Sequence, residues 1–338
     1  MYTPLSFLQS ALTAALLLAS SITLALEPQQ AASIANKSIE VQQHWTLAGS
    51  SKWDYATVDS NRHRLFVTRG NRVEVLDSKT GSLIGSIPDT AGVHGVALAE
   101  DLGLGFTSNG AGNSLTVFEI DSLKSLGQIT VDGLSPDAIL YEPGAKLLYV
   151  FNGKSANLNI VDPKQRRVLA SVKVSGVPEF AQADGQGRIY FHIEDHPAVE
   201  VLDQSKQAIT RRFELKDCEG PTGLALDLAH QRVFSSCQNH KLVVSDMQSG
   251  RRVAELPIGA HPDAVIYDDR TATIYVSNGD DASLSVIRQL DADHYQVEPS
   301  VSTAKGAKTM AMDPTTGHLY LPTGAGTNFE VLVLGPKS

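Results

Sequence analysis

Seven aromatic residues recur along this chain at nearly even steps of 40, 43, 41, 44, 41 and 45 residues. Aromatic residues make up only 6% of the sequence, so seven of them in one register mark an internal repeat. A period of about 40 to 45 residues is typical of propeller blades. The aromatic positions are Phe66, Phe106, Tyr149, Tyr190, Phe234, Tyr275 and Tyr320.

Each repeat contains the signals of four strands. A short apolar run follows a Gly or Pro corner, as in Ala138-Ile139-Leu140, and a polar turn leads to the aromatic strand. A third segment alternates strictly between apolar and other residues, and a more polar fourth follows. Four antiparallel strands of falling hydrophobicity make one blade, so the sequence predicts an all-β, seven-bladed β-propeller with four-stranded antiparallel blades.

The last repeat lacks a fourth strand, because the chain ends soon after residues 329–334. Residues 39–47 form an orphan β segment that belongs to no repeat of its own. Pairing of these two segments would leave no open sheet edge. We therefore expect a ring closed by the N-terminal strand in the last blade.

The N-terminus is typical of an export signal. Residues 11–26 are apolar with small polar interruptions, and at about 16 residues they are short for a membrane span of roughly 20. Thr23-Leu24-Ala25 fits a cleavage site, although no Lys or Arg precedes the apolar run; an uncleaved anchor is the alternative. We predict a signal peptide at 1–25, a flexible segment at 26–37, a single propeller domain at 38–338, and a periplasmic or secreted location.

The composition narrows the classes of partner. The net charge is −9 and no run of Lys or Arg stands out, so nothing indicates nucleic acid as a partner, or a membrane once the signal is removed. A cationic ligand or a metal suits this surface better than a phosphate. We expect a monomer whose partner is a small molecule or a periplasmic protein.

The chain contains two cysteines, Cys218 and Cys237. In an oxidising compartment they would close a loop of about 20 residues and contribute roughly 3 kcal/mol to stability. We favour this disulfide, because Cys218 precedes one predicted inner strand and Cys237 ends its neighbour. Two free, buried thiols are the alternative.

Several blade motifs resemble those of the YVTN family of seven-bladed β-propeller repeats. Tyr149-Val150-Phe151-Asn152 and Tyr275-Val276-Ser277-Asn278 end second strands, and Pro136-Asp137-Ala138 and Pro262-Asp263-Ala264 begin blades. The resemblance covers essentially the whole chain after the predicted signal and implies the fold. It implies no single activity, because relatives with this repeat include proteins with no assigned reaction, propeller enzymes and cofactor-binding subunits.

One column of residues immediately before the inner strands is unusually rich in ionisable groups. It consists of Asp54, His94, Asp137, Glu179, Thr222, Asp263 and Lys308. Carboxylates gathered there would repel one another unless Lys308 or another cation compensates. One interpretation is a ligand site, or a Ca²⁺ or Mg²⁺ site, with oxygen donors from Asp54, Asp137, Glu179 and Asp263 and a nitrogen donor from His94. The alternative is a structural role, with these side chains bonding adjoining blades or lining a water-filled channel.

A second column, at the ends of the second strands, contains Asn109, Asn152 and Asn278. These amides are placed to contact a ligand at the same mouth, and a turn-forming role is the alternative. In the fourth repeat His192 and Glu194 share one strand face, which allows a two-donor metal clip; solvated loop charges are the alternative.

Familiar catalytic motifs are missing: the sequence contains no GxSxG, HExxH, paired CxxC or phosphate loop. Our first hypothesis is therefore an exported, non-catalytic propeller that binds a small ligand or a protein partner at its top face, around an acidic central channel. The alternative is a metal-dependent propeller enzyme, lactonase-like or lyase-like, with His94 or Glu179 as general acid or base.

Overall fold

The computed structural model describes Met1 and residues 38–337. The predicted signal peptide and the predicted segment at 26–37 lie outside the described residues, apart from Met1. Within residues 38–337 the chain forms seven antiparallel sheets, and the one helix is a single 3₁₀ turn, Glu100–Leu102. The predicted seven-bladed β-propeller is confirmed.

Strand β1 (Ile39–Leu47) comes first, and six blades follow in chain order. Blade 1 contains β2 (Trp53–Asp59), β3 (Arg64–Arg69), β4 (Arg72–Asp77) and β5 (Leu83–Ile87). Blade 2 contains β6 (Val93–Ala99), β7 (Leu104–Asn109), β8 (Ser114–Glu119) and β9 (Ser125–Thr130). Blade 3 contains β10 (Pro136–Glu142), β11 (Leu147–Asn152), β12 (Asn157–Asp162) and β13 (Arg167–Lys173).

Blade 4 contains β14 (Pro178–Ala183), β15 (Arg188–Ile193), β16 (Ala198–Asp203) and β17 (Ala208–Glu214). Blade 5 contains β18 (Pro221–Asp227), β19 (Arg232–Cys237), β20 (Lys241–Asp246) and β21 (Arg252–Pro257). Blade 6 contains β22 (Pro262–Asp268), β23 (Thr273–Asn278), β24 (Ser283–Gln289), β25 (Tyr295–Val297) and the short β26 (Val301–Ser302), which also pairs with β24. Blade 7 contains β27 (Ala311–Met312), β28 (Leu319–Thr323), β29 (Phe329–Pro336) and β1.

The ring closes as expected. Strand β1 pairs antiparallel with β29, from Leu47 opposite Phe329 to Ile39 opposite Pro336. Strand β1 is thus the outer strand of the last blade, and the pairing of the first and last strands of the described residues holds the ring together.

The hydrophobic core lies between the blades. Each of seven buried clusters joins one blade to the next; Phe66 and Val75 of blade 1, for example, pack with Val96 and Phe118 of blade 2. Six of the seven repeating aromatic residues are at most 1% exposed, and Tyr275 is partly buried. The aromatic period therefore reflects one large side chain that each blade places against its neighbour.

A buried ion pair, which we call the closure clasp, reinforces the seam between blades 7 and 1. The Arg69 guanidinium donates to Glu74 Oε2 at 2.6 Å, to the backbone oxygens of Ala48 and Gly49, and to Ser51 Oγ. Its carbon Cζ also lies 4.4 Å from the centre of the Phe329 ring in β29. One side chain thus connects β3, the segment between β1 and β2, and the final strand.

The expected disulfide is present in blade 5. The Cys218 and Cys237 sulfurs are bonded, with their Cα atoms 5.2 Å apart. The link holds the segment before β18 to the end of β19, beside the backbone pair of Pro221 and Cys237.

In the part of the chain that the structure describes, no helix has the length and apolarity needed to cross a membrane.

Candidate functional site

The ionisable column converges at one end of the central channel, which we call the top. Six of the first strands begin with a register irregularity, for example between Pro136 and Ile139 and between Pro262 and Val265. A bulge re-aims the side chains of the residues it contains. We call the six ionisable members of this column the charged ring: Asp54, His94, Asp137, Glu179, Asp263 and Lys308.

Charges of opposite sign alternate along five consecutive blades of the ring. Lys308 Nζ lies 2.5 Å from Asp263 Oδ2 and 3.8 Å from Asp54 Oδ1. On the other side of Asp54, His94 Nδ1 lies 2.6 Å from Asp54 Oδ2 and 3.5 Å from Asp137 Oδ1. The repulsion expected among these carboxylates is thus reduced by two basic side chains of the protein itself.

These basic groups hold their protons more firmly than usual. Burial lowers the pKa of His94, but the hydrogen bond to Asp54 and the charges of Asp137 and Asp54 outweigh it, so the pKa is raised. Burial also opposes the charge of Lys308, yet Asp263 and Asp54 raise its pKa overall. The neighbouring carboxylates thus favour the charged forms of both side chains.

The carboxyl groups are less well compensated. Burial raises the pKa of Asp137 to about 7, although the charge of His94 opposes this shift. Burial also raises the pKa of Asp263, against the effect of Lys308. Asp137 Oδ1 is buried and has no hydrogen-bond partner within the described residues. A buried acceptor without a donor is costly, so this oxygen is where the ring is least satisfied.

Blade 4 adds a second acidic group beside Glu179. Burial, followed by the charges of Asp137 and Asp263, raises the pKa of Glu179 well above its usual value. Burial and the charge of Asp263 also raise the pKa of Glu194, and a hydrogen bond from Glu179 partly opposes this. Burial and the neighbouring acidic charges therefore favour the neutral form of Glu179 more strongly than that of Glu194.

The four carboxylates expected to share an ion do not form one cluster. The donor atoms of Asp54, His94 and Asp137 lie within 4.8 Å of one another. Asp263 instead pairs with Lys308, and Glu179 with Glu194. Thr222, the uncharged member of the column, donates to the Pro262 backbone oxygen and ties blade 5 to blade 6.

The asparagine column lies inside the blades, which corrects the expected ligand contacts of Asn109, Asn152 and Asn278. All three side chains are fully buried. Their amide nitrogens donate to side chains of the third strand in the same blade: Asn109 to Thr116, Asn152 to Asn159 and Asn278 to Ser285. They brace the second and third strands and do not face the channel mouth.

His192 is also structural, so the metal clip with Glu194 and the alternative of a solvated His192 are both corrected. Its ring nitrogens lie 2.9 Å from the Thr222 backbone oxygen and 2.8 Å from Ser235 Oγ. Burial lowers its pKa to about 4, which keeps the ring neutral. Blade 2 makes a similar link to its neighbour with a serine, as Ser108 donates to the Asp137 backbone oxygen.

Two aromatic residues that sequence reasoning missed lie directly behind the charged ring. Tyr55 follows Asp54 and Phe180 follows Glu179, and their ring centres are 5.7 Å apart, across the channel from blade 1 to blade 4. Burial, then the charges of Asp137 and Glu179, raises the pKa of the Tyr55 phenol, which places it beside the ring carboxylates. The sequence does distinguish these two residues, because the other five repeats carry Gly, Ala or Thr at the same position.

No protein-family model and no curated protein matches this sequence. Solved structures do resemble it in shape. A chain of the Kuenenia stuttgartiensis hydrazine synthase is 14% identical, with a TM-score of 0.74 over 86% of this chain and 97% of that one. A chain in the crystal structure of a mitotic checkpoint complex is 11% identical, with a TM-score of 0.75 over 96% of this chain and 99% of that one. At these identities the likeness shows a shared β-propeller fold.

Proposed function

We propose that this protein is an exported, non-catalytic β-propeller that binds a small cationic or polyhydroxylated molecule at the charged ring. Five carboxyl groups meet at the top of the channel, the four of the ring and Glu194, and two basic side chains oppose them. Burial favours the neutral forms of Glu179 and Asp137, so the excess of negative charge is smaller than the count of carboxyl groups, and a ligand with an ammonium group would favour their ionised forms. Hydroxyl groups of a ligand would donate to the remaining oxygens.

The observation that carries the proposal is the state of Asp137. Its Oδ1 atom is buried without a hydrogen-bond donor, since His94 Nδ1, which lies 3.5 Å away, is hydrogen-bonded to Asp54, and its carboxyl group has a raised pKa because burial is incompletely offset. Eleven buried side-chain polar atoms of the described residues lack a hydrogen-bond partner, and Asp137 Oδ1 is the one among them that belongs to the charged ring. An unpaired acceptor at the mouth of a channel can be satisfied by a donor supplied from outside. A bound ammonium would be that donor.

The arrangement around His94 supports binding over catalysis. Its Nδ1 atom is held by Asp54, and within residues 38–337 no hydroxyl or thiol is hydrogen-bonded to the imidazole. An activated nucleophile requires such a base beside it.

The wider proposal includes membership of the YVTN repeat family, a periplasmic or secreted location and a monomeric state. The family membership is supported by the motifs ending in Asn152 and Asn278, and the location by the disulfide and the N-terminal apolar segment. A periplasmic protein that presents a Lys or Arg side chain to the same mouth is an alternative form of the ligand.

Calorimetric titration with putrescine, a small diamine, tests the proposal. We expect saturable binding to the native protein and a loss of about tenfold or more in affinity for Asp137→Asn. Glu214→Gln is the matched control, because it removes one exposed carboxylate of blade 4 and should leave the affinity unchanged. Equal affinity of all three proteins for putrescine, or no binding, would contradict a cation site at the ring.

A metal-dependent enzyme is the second candidate, favoured by the donor atoms of Asp54, His94 and Asp137 within 4.8 Å of one another. Two carboxylates and an imidazole suit a divalent ion. The fit is incomplete, since His94 Nδ1 is already bonded to Asp54 and the Lys308 ammonium lies 3.8 Å from Asp54 Oδ1. Such an ion would polarise a bound oxygen or lower the pKa of a bound water.

Metal analysis and thermal melting with and without a chelator distinguish the two candidates. A stoichiometric divalent ion, together with a large loss of melting temperature on chelation, would favour the enzyme. Unchanged melting of a metal-free protein would favour the binder.

A further inference from the structure

The channel contains a second cavity, which we call the apolar chamber, with a volume of about 460 Å³. Residues of all seven first strands or the turns after them line it, from the aromatic pair Tyr55 and Phe180 down to Tyr267, Met312 and Pro314. None of the charged-ring residues lines it. The chamber therefore lies on the other side of the aromatic pair from the proposed cation site.

The wall of the chamber carries no charged residue. It consists mainly of Ala, Val, Leu, Ile and Met side chains, including the half-buried Leu140, Ile266 and Met312. Its volume falls within the roughly 300 to 1,000 Å³ that is usual for small-molecule sites, which are also mostly apolar.

Three polar groups of the wall are already engaged with the protein. Thr57 donates to the Val96 backbone oxygen at 2.8 Å, and the Tyr267 hydroxyl donates to Gln289 Oε1 at 2.5 Å. Gln182 Oε1 accepts from the Leu226 amide at 2.9 Å. Because these bonds are satisfied within and between blades, a guest would meet a mainly apolar surface.

The aromatic pair separates the two compartments. Tyr55 and Phe180 come from blades 1 and 4 and meet at 5.7 Å between ring centres, in a tilted arrangement. A charged ligand at the ring faces their upper side, and the chamber faces their lower side.

We propose that the apolar chamber is a second binding site, for an uncharged aromatic or aliphatic molecule that enters from the bottom of the channel. Burying apolar guest and wall surface supplies the driving force. The two methionines of the wall, Met310 and Met312, adapt their shape to such a guest. This site is independent of the proposed function at the ring.

The methionines also provide the test. The chain contains four, so ε-¹³C-methyl labelling gives a simple NMR spectrum. Indole, an uncharged aromatic probe, should shift the methyl signals of Met310 and Met312 through its ring current, in a saturable way. Met247 is the internal control, because it is 1% exposed within the core between blades 4 and 5. Single Met→Leu variants assign the signals.

Unshifted Met310 and Met312 signals at several millimolar indole, or an equal shift of Met247, would overturn the proposal. A second variant measures the location: Met312→Trp fills the lower part of the chamber and should weaken indole binding about tenfold or more. Met247→Leu, which changes a methionine away from the chamber, should not. Saturating putrescine should leave the indole shifts intact, and competition between the two probes would contradict separate sites.

Discussion

The closure clasp and the charged ring both bring charge into the body of the propeller, yet they differ in how completely that charge is satisfied. In the clasp, Arg69 donates to Glu74, to two backbone oxygens and to Ser51, and only 1% of its side chain is exposed. In the ring, Asp137 Oδ1 lacks a donor, and burial raises the pKa of Asp137 to about 7.

The difference separates a structural role from a binding role. A buried ion pair with all its hydrogen bonds made has nothing left to offer a ligand, and breaking it exposes the full desolvation cost of the remaining partner. A ring with an acidic excess retains the capacity to accept a cation. We therefore expect substitutions in the clasp to change stability strongly, and those in the ring to change stability less.

Removing the clasp cation should have the largest effect. Arg69→Met leaves Glu74 buried with a single remaining ion-pair partner, Arg72, and removes three further hydrogen bonds at the seam. We expect the free energy of unfolding to fall by about 3 to 5 kcal/mol, measured by urea denaturation.

Arg72→Met is the matched control for the clasp. Arg72 also pairs with Glu74, at 3.0 Å, but 38% of its side chain is exposed. An exposed pair contributes roughly 0 to 1 kcal/mol, so this variant should remain close to the native stability. Similar losses for both variants would show that burial does not distinguish the clasp.

Removing the internal cation of the ring should have an intermediate effect. Lys308→Met leaves Asp263 and Asp54 without their ammonium partner, but the site is partly solvated, so we expect a loss of about 2 kcal/mol in urea denaturation. The same variant should bind putrescine more tightly, because an external cation replaces the missing one.

Lys241→Met removes a lysine of similar exposure whose Nζ atom lies 2.9 Å from Glu255 on the surface. This control should lose less than about 1 kcal/mol and bind putrescine as the native protein does. If Lys308→Met proved as mild as Lys241→Met in both measurements, the ring would be an ordinary solvated surface.

The sequence predicts the fold better than it predicts the contacts within the candidate site. The blade number and the closing strand follow from the aromatic period and from the orphan segment at 39–47, because repeated burial against a neighbour leaves a periodic trace. The position of the ionisable column follows as well. The ion-pair partners do not follow from the sequence. Whether Lys308 pairs with Asp263 or with Asp54 depends on distances between blades that are remote in sequence.

The errors have a common cause, which is the direction of side chains at the ends of second strands. The notion that Asn152 faces the channel assumed that a residue near the mouth points into it. In the structure its amide donates to Asn159 across the sheet, and His192 likewise bonds to the next blade. A side chain near the mouth can face either a neighbouring strand or the channel. The aromatic residue that recurs once in each blade does not indicate which of these directions a side chain takes.

The smallest predicted effect is a pH dependence that arises from Asp137. Its pKa is raised to about 7 in the native state, above the ordinary value of 3.8, so the native protein binds more protons than the unfolded chain between these pH values. Stability from this group is therefore greatest at low pH and is lost as the pH rises towards 7.

Asp137→Asn stays neutral at every pH. Relative to the native protein, the variant should gain about 1 kcal/mol in free energy of unfolding between pH 5 and pH 8, after allowance for solvent screening. Urea denaturation at the two pH values measures this gain, with Glu214→Gln as the exposed control that should show none. A variant that followed the pH profile of the native protein would mean that Asp137 is ionised and satisfied in the native ring, and the contrast with the clasp would then disappear.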